Sequence, residues 1–411
     1  MAGNKRELDL VVFGATGFAG RIVCEYLRDY SAEKKPLHWV MAGRSRARLQ
    51  AVQHALNIAQ NLVPLISLDN TDTSELIALC RRTSVVLSTA GPYALYGSRL
   101  VAACVETGTD YVDLSGEPQW IRRMIMQYEQ RAITTGARII HSCGFDSIPS
   151  DLGVYFLQQQ SHVRFGQAAD RVIMRVKAIR GGLSGGTIAS GLNTAVEAAT
   201  DPSVRRELSN PYSLCVGLSV DPIKQNQVRF PKFDPIIGSW VTPFLMAGIN
   251  TQTVLRSSAL MPEKFPSRFR YDEALLTGKG LRGAWRAATT ALGLGIFLFA
   301  ASTSGTRNLL QRLCPKPGNG PNWDKREAGF FDLRFTGWTD DSQTTRVTVT
   351  GNQDPGYNTT AKMICQAAIC LARDKTGIEK SGGFWTPARA MGIRLIERLR
   401  AYTGMTFELE D

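Results

Sequence analysis

Three glycines and the small residues between them carry the first chemical signal in the chain. Asp9-Leu-Val-Val-Phe-Gly14-Ala15-Thr16-Gly17-Phe18-Ala-Gly20 reads as a buried strand that runs into a glycine loop and straight on into a helix, expected over 17–30. The G-x-x-G-x-x-G spacing is a variant of the dinucleotide fingerprint. Gly14 lets the chain turn, Gly17 lets backbone approach a phosphate, and Gly20 lets helix and strand pack closely. A helix opening here aims unpaired N–H groups and the positive end of its dipole at the loop, which suits a pyrophosphate.

Basic residues set the cofactor. After the second predicted strand, His38–Ala42, the run Gly43-Arg44-Ser45-Arg46-Ala-Arg48 stands where an NAD site places an acid against the ribose 2′-hydroxyl. A guanidinium makes paired, charge-assisted bonds to a 2′-phosphate, so NADP(H) is expected, with Arg44 as phosphate ligand; a solvated basic helix start is the plain alternative. Asp69 either borders the adenine or caps the helix near Thr73. After the fourth strand, Thr89-Ala90-Gly91-Pro92-Tyr93-Ala-Leu-Tyr96-Gly97 lies where the nicotinamide half belongs. Ala90, Gly91 and Pro92 shape that loop, while Tyr93 and Tyr96 either touch substrate or pack beneath it. After the sixth strand, Cys143-Gly-Phe-Asp146-Ser147-Ile-Pro149 brings a thiol, a carboxylate and a hydroxyl to the same place. Tyr93, Cys143 and Asp146 are the candidate catalytic groups, with Tyr96 and Ser147 beside them. No Tyr-x-x-x-Lys dyad follows strand four, and no residue stands out as an unambiguous proton donor.

Positioning these groups requires a parallel sheet. Strand-like runs at 9–13, 38–42, 63–67, 84–88, 111–113 and 137–141 alternate with helical patterns, including Ser98–Thr107 and Pro118–Thr135. That alternation predicts an α/β doubly wound sheet with ligands beyond the carboxyl ends of its strands, over residues 1–152. Beyond it, 171–179 alternates like a strand, 186–200 like a helix after a glycine turn, and 330–335 with 344–350 like a hairpin. Residues 201–264, rich in turn formers, are expected to be an irregular covering segment.

The composition narrows the class further. With 411 residues and 44% hydrophobic content the chain has enough for two domains, and its +12 charge comes from 48 Lys+Arg against 36 Asp+Glu. No nucleic-acid-binding module accompanies that charge, so anionic cofactors, acidic carriers or membrane surfaces are the expected partners. Eight cysteines without a C-x-x-C pair, and four histidines, suggest neither a metal site nor a disulfide framework. A polar N-terminus running directly into strand one predicts no secretory signal and a reducing cytosol. The apolar, uncharged segment 287–304 is borderline for a bilayer span. It reads as a buried helix or as a peripheral membrane contact flanked by Arg282, Arg286, Arg307 and Arg312.

Gly14-Ala-Thr-Gly-Phe-Ala-Gly20, Ala42-Gly-Arg44, Gly91-Pro-Tyr-Ala-Leu-Tyr-Gly97, Tyr111-Val-Asp-Leu-Ser-Gly-Glu117 and Cys143-Gly-Phe-Asp-Ser-Ile-Pro-Ser-Asp151 together resemble the saccharopine-dehydrogenase-like oxidoreductases. Within that group the chain is most similar to the trans-acting enoyl reductases of polyketide lipid assembly. The likeness continues through Gly181–Ser190, Cys314–Pro321, Asp354–Tyr357 and Thr386–Gly392. It implies an NADP-binding Rossmann domain, a second α+β domain over 153–380 for substrate and for contact with a second copy, and a C-terminal segment, 381–411, packing back on the first. It also implies an acyl substrate, free or on a carrier, from a polyketide synthase. Two other readings stay open. One is a dehydrogenase of a saccharopine-like dicarboxylate held by Arg175 and Arg180, and the other is a non-catalytic NADP-binding protein of lipid surfaces.

Overall fold

The run Leu8–Phe13 forms strand β1, with Leu10 and Val12 buried toward one face of the sheet and Val11 and Phe13 toward the other. Both faces are covered, which is why the strand reads as a continuous apolar run. The computed structural model describes residues 6–34, 36–182, 185–302, 305–306, 320–374 and 381–410. β1 is followed by α1 (Phe18–Glu33), β2 (Trp39–Gly43), α2 (Arg46–Ala55), β3 (Leu65–Ser67), α3 (Thr73–Arg81) and β4 (Thr83–Ser88). Then come α4 (Tyr93–Tyr96), α5 (Ser98–Thr107), β5 (Asp110–Asp113), α6 (Pro118–Thr135) and β6 (Arg138–Ile140).

The second unit begins with α7 (Ile148–Phe165), β7 (Arg171–Arg180), α8 (Gly185–Thr200), α9 (Pro202–Ser209), β8 (Lys232–Asp234) and β9 (Ser239–Thr242). It continues through α10 (Ala247–Leu260), β10 (Arg270–Gly278), α11 (Gly280–Ser302), α12 (Trp323–Glu327), β11 (Phe330–Trp338) and β12 (Thr344–Gly351). A π-helical turn, Pro355–Thr359, leads to α13 (Thr360–Arg373), β13 (Gly383–Trp385), α14 (Pro387–Tyr402) and β14 (Met405–Glu410).

Two sheets organise these elements. The first has the order β13-β6-β5-β4-β1-β2-β3 and all its pairings are parallel, as the alternation of strand and helix predicts. The second has the order β14-β12-β11-β7-β10-β9-β8, parallel between β7 and β10 and antiparallel elsewhere. The expected hairpin is β11 with β12, and the expected strand at 171–179 is β7.

The chain crosses between the units more often than boundaries at 152 and 380 imply. Helix α13 packs on α1, β1, β4 and β5 of the first sheet, where Arg138 donates to the Leu371 carbonyl (3.0 Å) and Gln366 to the Tyr26 hydroxyl (2.7 Å). The C-terminal segment divides: β13 extends the first sheet beside β6, whereas β14 extends the second beside β12.

Residues 201–264 correct the expectation of an irregular segment. They hold α9, β8, β9 and the buried helix α10. The interior face of α10 carries Asn250, Gln252, Thr253, Arg256 and Ser257, so no hydrophobic period marks it. Most of their polar groups find partners inside: Asn250 donates to Glu273 (2.9 Å), Gln252 Nε2 to the Asn210 carbonyl (3.0 Å) and Arg256 to the Phe384 carbonyl (2.7 Å), while Gln252 Oε1 has no partner among the described residues.

Candidate cofactor and active site

The loop 14–17 is held on the end of β2, where the Gly14 amide donates to the Ala42 carbonyl at 3.1 Å. Gly14 has φ +90°, a backbone that L side chains rarely adopt, and it abuts the loop after β4: a Cβ there would lie 3.0 Å from Thr89 Oγ1 and 3.1 Å from the Ala90 nitrogen. Gly20 is the point of closest approach, since a Cβ would fall 2.2 Å from the Gly14 carbonyl oxygen. Gly17 meets only that same oxygen, at 3.4 Å, and lies otherwise open. It is the N-cap of α1, and no side chain caps the first amides of that helix. Ala15 is buried, Thr16 is half-buried, and Phe18 places its ring edge-on to Tyr357, 4.8 Å between centroids. A small, open loop at an uncapped helix start fits a pyrophosphate.

Arg44 follows β2 on the surface, and no described residue bonds its guanidinium, whereas Ser67 Oγ fixes its carbonyl (3.3 Å). Ser45 caps α2 through the Arg48 amide (3.3 Å), and Arg46 reaches the Leu65 carbonyl (3.4 Å). The side chain best placed for a 2′-phosphate is therefore Arg44. Asp69 is exposed and turns its carboxylate onto the Thr71 amide (2.9 Å). That bond, helped by the charges of Arg44 and Arg99, holds it below the usual carboxylate range. The cap of α3 is Asp72, which accepts from the Ser74 and Glu75 amides (2.8 and 3.2 Å), so Asp69 shapes the turn that follows β3 and does not cap the helix.

The loop after β4 carries Ala90, Gly91 and Pro92, the last two joined by a cis peptide bond. Gly91 faces Ser190 of α8, so the loop lies between the two units. Its anchor is Glu117, whose role the sequence left unread. The fully buried carboxylate accepts from the Tyr93 and Ala94 amides (2.7 and 3.0 Å) and from Ser190 Oγ (2.6 Å). Burial raises it from the ordinary value.

The three candidate catalytic groups separate on geometry. Tyr93 is buried, stacked on Trp120 (5.6 Å), and its hydroxyl donates to the Ser88 carbonyl and accepts from the Leu114 amide, both at 3.1 Å. Burial pushes it well above its ordinary value, and the hydroxyl is engaged by backbone on both sides, which ties Tyr93 into the support of the loop. Cys143 is fully buried beneath the carbonyls of Ile140 and His141, and its thiol is likewise pushed well up. A thiol without solvent access or thiolate character is structural.

Asp146 differs from both. It is half-buried, no described residue hydrogen-bonds its carboxyl, and burial raises it to about 6. A Cβ on Gly116, after β5, would lie 3.5 Å from its Oδ2, which places the carboxyl at the crest of the first sheet. Its neighbours fix it from both sides. Phe145 packs edge-on against Phe331 of β11 (5.0 Å) and donates its amide to Thr360 Oγ1 (3.0 Å). Ser147 Oγ lies 3.3 Å from Thr253 Oγ1 on α10. Below it Asp113 ties the loops together, accepting from the Ser115 and Ser142 amides (2.9 and 3.1 Å) and pairing with His141 Nδ1 (2.7 Å). Tyr96, in contrast, is 47% exposed beside the cofactor loop.

The glycine turn at 181–182 and the Asp354–Tyr357 motif hold each other. Asp354 accepts from the Gly182 and Tyr357 amides (3.2 and 2.7 Å), and the Tyr357 hydroxyl accepts from the Gly185 amide (2.9 Å). The motif Cys314–Pro321 lies almost wholly outside the described residues. Arg175 cannot serve a dicarboxylate, because it is buried between Asp234 (2.8 Å) and Asp272 (2.7 Å). Arg180 is left exposed at the end of β7.

A parallel sheet with this loop, this arginine and a second sheet facing its crest defines a two-unit NADP(H)-dependent oxidoreductase. Residues 10–140 match the family described as saccharopine dehydrogenase NADP binding domain. The fold is that of a saccharopine dehydrogenase (L-Glu forming) from Saccharomyces cerevisiae, with a TM-score of 0.53 at 15% identity over 98% of this chain and 99% of that one. The trans-acting enoyl reductase of Mycobacterium tuberculosis is 36% identical over 97% of this chain and 97% of its own, and that of Mycobacterium leprae 34% over the same shares. A second Mycobacterium tuberculosis protein that bears this name provisionally is 38% identical over 98% of this chain and 97% of its own. The chain belongs to the trans-acting enoyl reductase family.

Proposed function

We propose that the protein reduces an α,β-unsaturated acyl thioester, presented on a carrier by a polyketide synthase, during assembly of a lipid. The observation that carries this reading is the position of Asp146, a half-buried carboxyl that no described residue hydrogen-bonds and that burial raises to about 6, at the same sheet crest as the glycine loop. Kinship with proteins named trans-acting enoyl reductase supports it. When bound, NADPH supplies the hydride. Arg44 and the uncapped start of α1 hold its phosphates, and the Glu117-braced loop at Gly91 and Pro92 orients its nicotinamide half. The exposed Tyr96 forms a wall for the acyl group, and Asp146 supplies the proton that completes reduction at the α-carbon. The half-burial of Asp146 limits water at that point.

Purified protein mixed with NADPH and an enoyl thioester, on coenzyme A or on a carrier, should consume NADPH and yield the saturated acyl product. Tight NADPH binding with no turnover of any enoyl thioester would remove the reductase reading and leave a nucleotide-binding protein. Arg44→Asp should weaken NADPH by about one to two orders of magnitude, the worth of one or two charge-assisted hydrogen bonds. NADH should change by no more than about threefold, because it lacks the 2′-phosphate. Titration of both cofactors by fluorescence checks this, and an equal loss for the two would remove Arg44 from the phosphate site.

A further inference from the structure

Helix α11 is the chemical anomaly of the surface. Its first turns are fixed to the second sheet: Thr277 Oγ1 donates to the Gly283 carbonyl (3.0 Å) and Thr242 Oγ1 to the Ala287 carbonyl (3.1 Å), as the helix packs on β9, β10 and α8. Gly283 permits this approach, since a Cβ there would fall 2.2 Å from the Gly278 oxygen. Past Ala287 the helix keeps only a narrow packed stripe. Its most apolar window, of mean hydropathy 1.4, is 11% buried. Leu292, Ile296, Leu298 and Phe299 are 64%, 60%, 51% and 69% exposed. Of the two readings of 287–304, a buried helix or a peripheral contact, the first does not fit residues 288–300, most of whose large apolar side chains are exposed.

The charges of this helix occupy one end. Lys279, Arg282 and Arg286 stand around the exposed Trp285, no described acid pairs with any of the three, and no charge follows from Ala287 to Ser302. A groove on a protein partner calls for polar groups along the rim of a docked helix. Cations and a tryptophan at one end, followed by uncharged apolar side chains, match instead the headgroup and hydrocarbon layers of a bilayer. The uncharged run is about 24 Å long at 1.5 Å per residue. The hydrocarbon core is about 30 Å thick. The run is thus too short to cross the core and too long to stand upright in one leaflet of about 15 Å, so the helix lies obliquely in the interface.

We infer that α11 docks the protein on an anionic phospholipid bilayer, with Lys279, Arg282, Trp285 and Arg286 among the headgroups and Leu292, Ile296 and Phe299 in the acyl layer. The excess of +12 on the chain adds long-range attraction to the same surface. Helix α8 links this contact to the cleft, for it packs on α11 and its Ser190 holds Glu117 (2.6 Å) beneath the cofactor loop. Docking itself requires no turnover, so its test is independent of the reductase reading.

Full-length protein should co-float with phosphatidylcholine vesicles that contain phosphatidylserine. With phosphatidylcholine alone, and for Arg282→Glu combined with Arg286→Glu on the mixed vesicles, partitioning should drop at least about tenfold. Leu292→Glu, Ile296→Glu and Phe299→Glu together should abolish flotation while NADPH affinity, the measure of a folded protein, stays unchanged. Wild-type protein that floats with neither vesicle overturns the inference, as does a triple variant that still floats. Light scattering provides the remaining outcome. If the wild type fails to float, and has the mass of two copies that the triple variant reduces to one, the face is an interface between copies and the membrane assignment is wrong.

Discussion

Gly20→Ala is expected to remove measurable NADPH binding. The new methyl would lie 2.2 Å from the Gly14 oxygen and 2.9 Å from both the Gly14 carbonyl carbon and the Ala15 Cα. All three are backbone atoms of the phosphate loop, so no side chain can rotate away, and either α1 shifts outward or the loop is displaced. Overpacking of this kind costs roughly 1–3 kcal/mol of stability. The larger effect falls on the ligand, because the amides at the start of α1 lose their alignment with the phosphates; a loss of at least about 100-fold in affinity corresponds to one or two such bonds. Gly17→Ala is the control. Its Cβ meets only the Gly14 oxygen, at 3.4 Å, so the fold should keep its melting temperature while the methyl intrudes on the space open to phosphate. Thermal melts paired with NADPH titration separate the two cases. A Gly20→Ala protein that binds NADPH within about threefold of wild type would show that this loop is not the cradle.

The first sheet was legible in the sequence because its signals are local. Buried parallel strands are continuous apolar runs, and the loops at their carboxyl ends follow from the alternation, so the places of Gly14, Arg44 and Asp146 after their strands could be read by position alone. Three kinds of feature escaped. Helix α10 hides because its buried face is polar, and a hydrophobic period cannot mark side chains satisfied by Glu273, Asp151 and distant carbonyls. Strand β13 is three residues long and takes its place only by pairing with β6, far away in sequence. The candidate catalytic side chains, finally, stand in a loop where chemical type says nothing of direction. Tyr93, Cys143 and Asp146 all follow crest strands, yet the first two are buried with bonded polar atoms, while Asp146 is half-buried and no described residue bonds its carboxyl. Glu117 was visible as part of a motif, but its bonds to Tyr93, Ala94 and Ser190 needed the fold. A cue did exist: an acid just before Pro118 that has no base within its own helix turn invites the question of what it accepts.

Asp146→Asn should lower kcat by about two orders of magnitude, within the usual contribution of a positioned acid, and leave the NADPH dissociation constant within about twofold. Burial raises Asp146 from 3.8 to about 6, so the carboxyl is protonated below that value and anionic above it. A proton donor of this kind gives a kcat that is level at low pH and falls as pH rises through about 6. The asparagine variant, with nothing to titrate there, should lose that limb. Stability carries the same sign. A carboxyl whose folded value is raised contributes stability that is fully present below its unfolded value and lost as pH rises through the folded one. Asp146, with Asp151 and Glu273 raised to about 7, should therefore make the melting temperature decline from about pH 4 to about pH 7, and Asp146→Asn should remove the lower part of that decline. The two readouts together identify the role. If the substitution flattens the melting curve against pH but leaves kcat and its alkaline limb untouched, Asp146 is a buried structural carboxyl and the proton comes from elsewhere in the cleft. If both change while NADPH affinity holds, the group that keeps its proton at the crest of the first sheet is the one that delivers it.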